Sequence, residues 1–416
     1  MGKYFSNAVD SALEAIYYSY DKERAAAALQ PLADAANAGD GDAAYILSRC
    51  TSGPQYSWKY HPFQDDDEAT ERLIRKSIMD GSAMGVLGAM RCGMLTPEME
   101  EAMRTHFPTL KDAWNAVYEK AEAGCLFAMN MIGNTYFWLD VVRIEGKGPE
   151  SFSSKEAFGQ YLRDSELKCI PWFQKAFEGG MGFAGQNLYN LYNDGDDGTF
   201  PPQKEKALAV ARLGAEKGYP NWQEQYAVLI EKEEGRAQEA LDLYFAAAKQ
   251  GQLSCWYHIG RAFQDGKIVP KDCPQALKCY ELGLADLNPI GCANRAGELL
   301  FLGKDGVRQD YARAVQLLEQ AHAGKNTWGN DMLGICYLFG YGCQKDPRRA
   351  LMLFQEVDYN SNLLNYGLGT IYTEGLGVPQ DIKKGVEYLQ KCKNYAPSQE
   401  AMLRFKKTLF GKWVRR

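Results

Sequence analysis

The last 160 or so residues repeat one alternation of apolar and polar positions. Four times a short phrase ends on an aspartate: Ile268-Val269-Pro270-Lys271-Asp272, Gly306-Val307-Arg308-Gln309-Asp310, Gly342-Cys343-Gln344-Lys345-Asp346 and Gly377-Val378-Pro379-Gln380-Asp381. The aspartates stand 38, 36 and 35 residues apart. Four positions after each comes a small residue (Ala276, Ala314, Ala350, Gly385), and four further on a bulky apolar one (Tyr280, Leu318, Phe354, Leu389). Steps of four keep to one side of a helix, so the pattern predicts an amphipathic helix behind each aspartate. The carboxylate is suited to cap the free N–H groups of the first turn, and Pro347 fits the first helical position.

A second helix is predicted upstream of each phrase. Cys255, Cys292, Gly329 and Leu364 are each followed five residues later by a glycine (Gly260, Gly297, Gly334, Gly369) and three residues after that by Phe263, Leu300, Tyr337 or Tyr372. These glycines recur at intervals of 37, 37 and 35. Inside a helix, glycine costs about 1 kcal/mol relative to alanine, so its return at one position predicts close approach of the partner helix. Glycine turns such as Gly340-Tyr341-Gly342 and Gly375-Leu376-Gly377 separate the two helices. One such pair cannot bury its apolar face alone, and stacked pairs share a continuous core.

The pattern loosens toward the N-terminus. Ile132-Gly133-x2-Tyr136 and Leu188-Tyr189-x2-Tyr192 read as first helices, and Ala207 to Gly218 and Ala240 to Gly251 as second helices. Ala43 to Gly53 with Glu68 to Gly81 makes another pair, and Trp222 to Glu231 an abbreviated first helix. Residues 139–170 fit no unit and read as an insertion with a long turn near Gly146-Lys147-Gly148-Pro149. The expected organisation is about nine helix pairs: degenerate repeats over 1–251, regular ones over 252–395, and a capping helix from Ser398 to Phe410 with a basic tail over 396–416.

A unit of about 36 residues written A-x4-L-G-x2-Y-x2-G-x-G-V-x2-D-x3-A resembles the Sel-one-like repeat, a relative of the tetratricopeptide repeat. The run from Leu368 through Gly369, Tyr372, Gly375, Gly377 and Val378 to Asp381 follows that consensus. The resemblance implies an all-α fold, a right-handed α/α superhelical solenoid, and a role as scaffold or adaptor. Some secreted, cysteine-rich relatives are described as penicillin-binding or weakly β-lactamase-like. This chain departs from them in lacking a signal peptide pattern and a cysteine pair in each repeat.

Composition narrows the function. With 47 basic and 53 acidic residues dispersed along 416, and a formal charge of -6, there is no broad cationic face for nucleic acid to follow. Eleven cysteines without a C-x-x-C pair read as reduced thiols, which points to the cytoplasm, and no stretch of apolar residues reaches the length of a membrane span.

Candidate chemistry is sparse. Gly180-Met181-Gly182-Phe183-Ala184-Gly185 matches the dinucleotide fingerprint, which requires a strand before it, whereas Trp172 to Glu178 reads as a helix. Ser165-Glu166-Leu167-Lys168 matches the S-x-x-K of serine β-lactamases without the S-D-N and K-T-G that complete it. His61, His106, His258 and His322 share no i, i+3 or i+4 spacing for a metal. Asp65-Asp66-Asp67-Glu68 reads as a helix cap, and Cys255, Cys279 and Cys292 as buried thiols. No catalytic group, cofactor or metal is expected.

In helical-pair solenoids the first helices line a concave groove. Three residues before the packed glycine come Tyr257, Asn294, Asp331 and Tyr366, and one after it Arg261, Glu298, Ile335 and Thr370. This mixture of rings, amides and charges suits a protein or peptide partner. The expectation is therefore a non-enzymatic adaptor. A bacterial immunity or effector-binding protein, and a β-lactamase-like enzyme acting through Ser165, are the alternatives.

Overall fold

The computed structural model describes residues 2–19, 21–52, 63–195, 200–409 and 411–416, so Gly53, His61 and Phe410 lie outside the described residues. The chain is predominantly helical and divides into two compact units, Met1–Ile230 and Glu231–Arg416. The division falls ahead of the expected 251/252, because the helix Ala237–Lys249 packs on the first regular helix, Cys255–Asp265, and belongs with it.

In the C-terminal unit the first helices are Cys255–Asp265, Ile290–Leu302, Asn330–Phe339 and Asn362–Glu374. Their partners are Cys273–Gly283, Tyr311–Ala323, Pro347–Gln355 and Ile382–Lys391. All four aspartates are N-caps. Asp272 accepts from the Gln275 N–H at 2.9 Å and Asp310 from Arg313 at 3.0 Å. Asp346 accepts from both Arg348 and Arg349 at 3.0 Å, and Asp381 from Lys384 at 2.9 Å.

Each capping aspartate also donates its own N–H back to the first helix, to the carbonyls of Phe263, Leu300, Tyr337 and Tyr372, at 2.8–3.0 Å. The two most regular positions of the repeat are thus hydrogen-bonded to each other, and this closes the turn. The turn itself needs the left-handed region at its glycines, with φ +79° at Gly340 and +70° at Gly375.

The recurrent helical glycines are contact points. A Cβ on Gly260 would stand 2.5 Å from the Tyr280 ring, on Gly297 2.8 Å from Leu318, on Gly334 2.5 Å from Phe354, and on Gly369 2.7 Å from Leu389. These are the same four bulky residues that form the stripe of the second helices. Buried side chains then run from Cys273 to Ile371 as one core shared by neighbouring pairs, as a stacked array requires.

The end of the array differs from expectation. The terminal helix stops at Met402 rather than running to 410, and a hairpin follows, with strands Phe405–Lys407 and Trp413–Arg415 in the register Phe405↔Arg415 and Lys407↔Trp413. In the first strand Phe405 points inward, packed with Val386 and Leu389, while Lys406 and Lys407 stay in water. The hairpin covers the open apolar face of the last repeat while satisfying its own backbone groups.

The N-terminal unit repeats the scheme less evenly. Gly41–Cys50 pairs with Asp67–Met79, whose cap is Asp66, accepting from the Ala69 N–H at 2.8 Å. Leu126–Phe137 pairs with Cys169–Gly179, and Gly185–Asp194 with Lys204–Glu216. A Cβ on Gly133 would stand 2.6 Å from the Phe173 ring, the same close approach as at Gly260 and Gly334 in the regular repeats. The insertion at 139–170 sits inside that pair and is itself helical, with Val141–Glu145, a turn at Gly146, and Lys155–Leu167. Rings of Phe152, Phe158 and Tyr161 hold it together, at centroid distances of 4.9–6.4 Å.

Candidate functional site

The column three residues before each packed glycine lies at the seam between successive first helices. Tyr257 lies against the start of the next first helix, where a Cβ on Gly291 would be 3.1 Å from its ring. Asn294 reaches Gly329 in the same way, at 2.7 Å. Asp331 accepts from the Ser361 hydroxyl at 2.7 Å and the Tyr359 hydroxyl at 3.0 Å, both just before the following first helix. Tyr366 packs edge-on against Tyr395, with centroids 5.7 Å apart.

Two members of the expected surface are therefore not on it. Asn294 and Asp331 are only 8% and 4% exposed. First helices pack on each other as well as on their partners, and the residue facing the next repeat is covered wherever that repeat brings a loop or helix start over it. Burial raises the Asp331 carboxyl above its ordinary value of 3.8, opposed by the hydrogen bonds from Ser361 and Tyr359. Ile335, in the other column, is buried too.

Tyr257, Arg261, Glu298, Tyr366 and Thr370 remain half-buried. The first three gather at the junction of two repeats. The Arg261 guanidinium lies 5.9 Å from the Tyr257 ring centroid, and Arg295, from the next repeat, donates to Glu298 at 3.0 Å. Burial opposes the Arg295 cation, but Glu298 and the Tyr257 phenol outweigh it and leave its pKa raised.

Tyr366 belongs to a second group that the spacing did not reveal. Tyr311 stacks on Tyr341 at 4.9 Å, Tyr341 neighbours Phe339 at 5.6 Å, Phe339 stacks on Tyr366 at 5.7 Å, and Tyr366 meets Tyr395. This ladder of five rings crosses three repeats, and Tyr341, in the glycine turn, is 40% exposed. An aromatic residue between the two turn glycines at Gly340-Tyr341-Gly342 is the signal that could have found it.

The other chemical motifs are structural. Ser165 is buried within the helix Lys155–Leu167, and Lys168 caps its end. The glycine run at 180–185 follows the helix Cys169–Gly179, passes through a 3₁₀ turn, and opens the helix Gly185–Asp194. Cys255, Cys279 and Cys292 are buried, and burial pushes the Cys279 and Cys292 thiols up to about 11 and about 12, away from the nucleophilic thiolate. No helix among the described residues is long and apolar enough to cross a membrane.

The repeat period, the capping aspartates and the glycine-to-ring contacts coincide with one family pattern, the Sel1 repeat, which matches residues 257–285, 290–322, 330–356 and 364–391. The chain carries four Sel1 repeats. Among solved structures, a protective antigen of uropathogenic Escherichia coli strains displaying an SLR fold is similar over 94% of this chain and 78% of its own, at 17% identity and a TM-score of 0.51. A Sel1 repeat protein from Oxalobacter formigenes is similar over 97% of this chain and 96% of its own, at 20% identity and a TM-score of 0.44. The first of these likenesses bears on the fold alone, and agrees with an all-α solenoid. No curated protein matches the sequence significantly. Sel1 repeat proteins generally act as scaffolds that mediate protein–protein interactions.

Proposed function

We propose that this Sel1 repeat chain is a non-catalytic scaffold that binds a protein or peptide partner along the first helices and adjoining glycine turns of its C-terminal unit. The observation that carries the reading is the aromatic ladder from Tyr311 to Tyr395, with Tyr341 exposed at its centre. Rigid, stacked rings lose little entropy on binding, and Tyr and Arg are the residues that most often dominate the energy of protein interfaces. The junction of Tyr257, Arg261 and Glu298, between the first two regular repeats and ahead of the ladder, supplies polar specificity. Its cations are interleaved with Glu298, an arrangement suited to a mixed-charge protein surface rather than to the phosphates of a nucleic acid.

Affinity capture from an extract of the source cells tests this. The triple variant Tyr257→Ala, Arg261→Ala, Tyr366→Ala is expected to recover its partner at least about tenfold less well than the native chain. Tyr366 supports the ladder from within, so Tyr341→Ser with Arg261→Glu serves as a second variant that leaves the core intact. Unchanged recovery by this second variant overturns the choice of surface.

A further inference from the structure

In a chain of net charge -6, the stretch from Leu403 to Arg416 carries six cations and no acid. It forms the hairpin that covers the last repeat, and the strand register sorts these charges onto two faces. Phe405, opposite Arg415, and Trp413, opposite Lys407, belong to the face that packs on Val386 and Leu389. Lys406 and Val414 pair on the other, outer face. Backbone bonds from Arg416 to Arg404 and from Thr408 to Lys412, both 2.8 Å, continue the alternation and bring Arg404, Lys412 and Arg416 to that face as well.

The two faces treat charge differently. On the packed face Arg415 reaches back to the Glu374 carboxylate, and among the described residues it is the only one of the six cations in an ion pair. The four cations of the outer face are all exposed. Like charges opposed across two strands repel, so Arg404 opposite Arg416 is a cost that an anionic surface would remove. Apolar side chains flank the same hairpin. Leu409, in its turn, is 103% exposed, the most of any large apolar side chain among the described residues, and Leu403, ahead of the first strand, is 67% exposed.

Three kinds of polyanion could answer these cations, and size and chemistry decide between them. Five paired residues are about 17 Å long and two strands about 10 Å wide, well short of the about 800 Å² that each side of a protein interface buries. A single-stranded nucleic acid stacks its bases on rings, whereas Phe405 and Trp413 are turned to the packed face. A lipid surface makes neither demand. It offers phosphates at every spacing to flexible cations, and an apolar layer beneath them to a leucine. We propose that the hairpin docks on an anionic phospholipid surface, with its outer-face cations among the headgroups and Leu409 inserted below them. None of its residues belongs to the aromatic ladder or to the junction at Tyr257, so the proposal does not rest on the protein partner.

Flotation of the full chain with vesicles tests this. At about 0.1 M salt the chain is expected to rise with phosphatidylcholine vesicles that contain about 30% phosphatidylglycerol, and not with phosphatidylcholine alone. Each cation near such a surface is worth roughly a factor of five, so Lys406→Glu with Lys412→Glu should weaken binding at least about 25-fold. Leu409→Asn, which gives up the partial burial of a leucine, should weaken it about fivefold. These three side chains are exposed, so both variants should keep the native melting curve. No flotation by the native chain, equal flotation with neutral vesicles, or native flotation by either variant would overturn the proposal. Retention of a poly-thymidine oligonucleotide without flotation would assign the cations to nucleic acid and overturn it too. Tyr341→Ser with Arg261→Glu should float as the native chain does, and the hairpin variants should still capture the protein partner, so the two readings fail separately.

Discussion

The packed glycines permit a sharp test at Gly334. A Cβ there would stand 2.5, 2.8 and 2.9 Å from three carbons of the Phe354 ring. Carbons in ordinary contact lie at about 3.5–4.0 Å, so the ring would have to retreat by about 1 Å. Its retreat is restricted, because Gly367 of the next first helix also lies against the ring, where a Cβ would be 2.3 Å from it. Phe354 is also 2% exposed and cannot swing into water. Alanine gains about 1 kcal/mol over glycine in helix propensity, whereas overpacking a closed core costs about 1–3 kcal/mol. With two first helices against the buried ring the upper part of that range applies, and Gly334→Ala is expected to lose about 1–2 kcal/mol net. Repeat arrays seldom unfold in one step, so the assay is native-state hydrogen exchange of the amides in Asn330–Phe339 and Pro347–Gln355. Phe354→Leu should relieve the clash, making the double variant more stable than the two single losses imply by about 1 kcal/mol. Gly159→Ala is the control, since a Cβ there meets only the flexible Arg163 side chain at 3.2 Å and should add stability. Gly334→Ala at native stability, or strict additivity with Phe354→Leu, would refute the packing account.

Further outcomes follow from other contacts. Asp346→Ala leaves two N–H groups of its helix uncapped and should cost about 1 kcal/mol, read as faster exchange in the first turn of Pro347–Gln355. Because burial raises the folded-state pKa of Asp331, the folded chain holds its proton longer than the unfolded one, and stability falls as pH rises from 3.8 through the raised value. Melting curves of Asp331→Asn across that range should lack this decline, and parallel curves for the two proteins would contradict it. Phe405→Ala removes the hairpin's anchor on Val386 and Leu389 and should cost about 3 kcal/mol, seen as exchange of the Ile382–Lys391 amides. Asn130→Leu, which replaces an unsatisfied buried amide with an apolar group of similar size, should raise stability by about 1 kcal/mol in thermal melts, and a loss would mean that the amide is already satisfied.

The fold was legible where local chemistry and packing agree. An aspartate that caps a helix, a glycine that admits a bulky side chain and a bulky apolar residue four positions beyond a small one leave a trace at fixed spacing, and all three meet in each regular repeat. The hairpin at the terminus left no such trace. Lys406, Lys407, Trp413 and Val414 accept either helix or strand, and the choice was made by Phe405 reaching the open face of the last pair. Spacing named the candidate surface positions but not their exposure. That Asn294 and Asp331 are buried depends on how far the next first helix is shifted along its neighbour, which spacing within one repeat does not encode. The ladder through Tyr341 arises between elements from different repeats, beyond the reach of any single period.

Site-specific photo-crosslinking during capture tests the central claim most directly. With benzoylphenylalanine in place of Tyr341, at the exposed centre of the ladder, the partner should become covalently attached, and with the same group at Met352, exposed on a second helix, it should not. Attachment at Met352 with none at Tyr341 would place the interaction on the opposite helices and contradict the account.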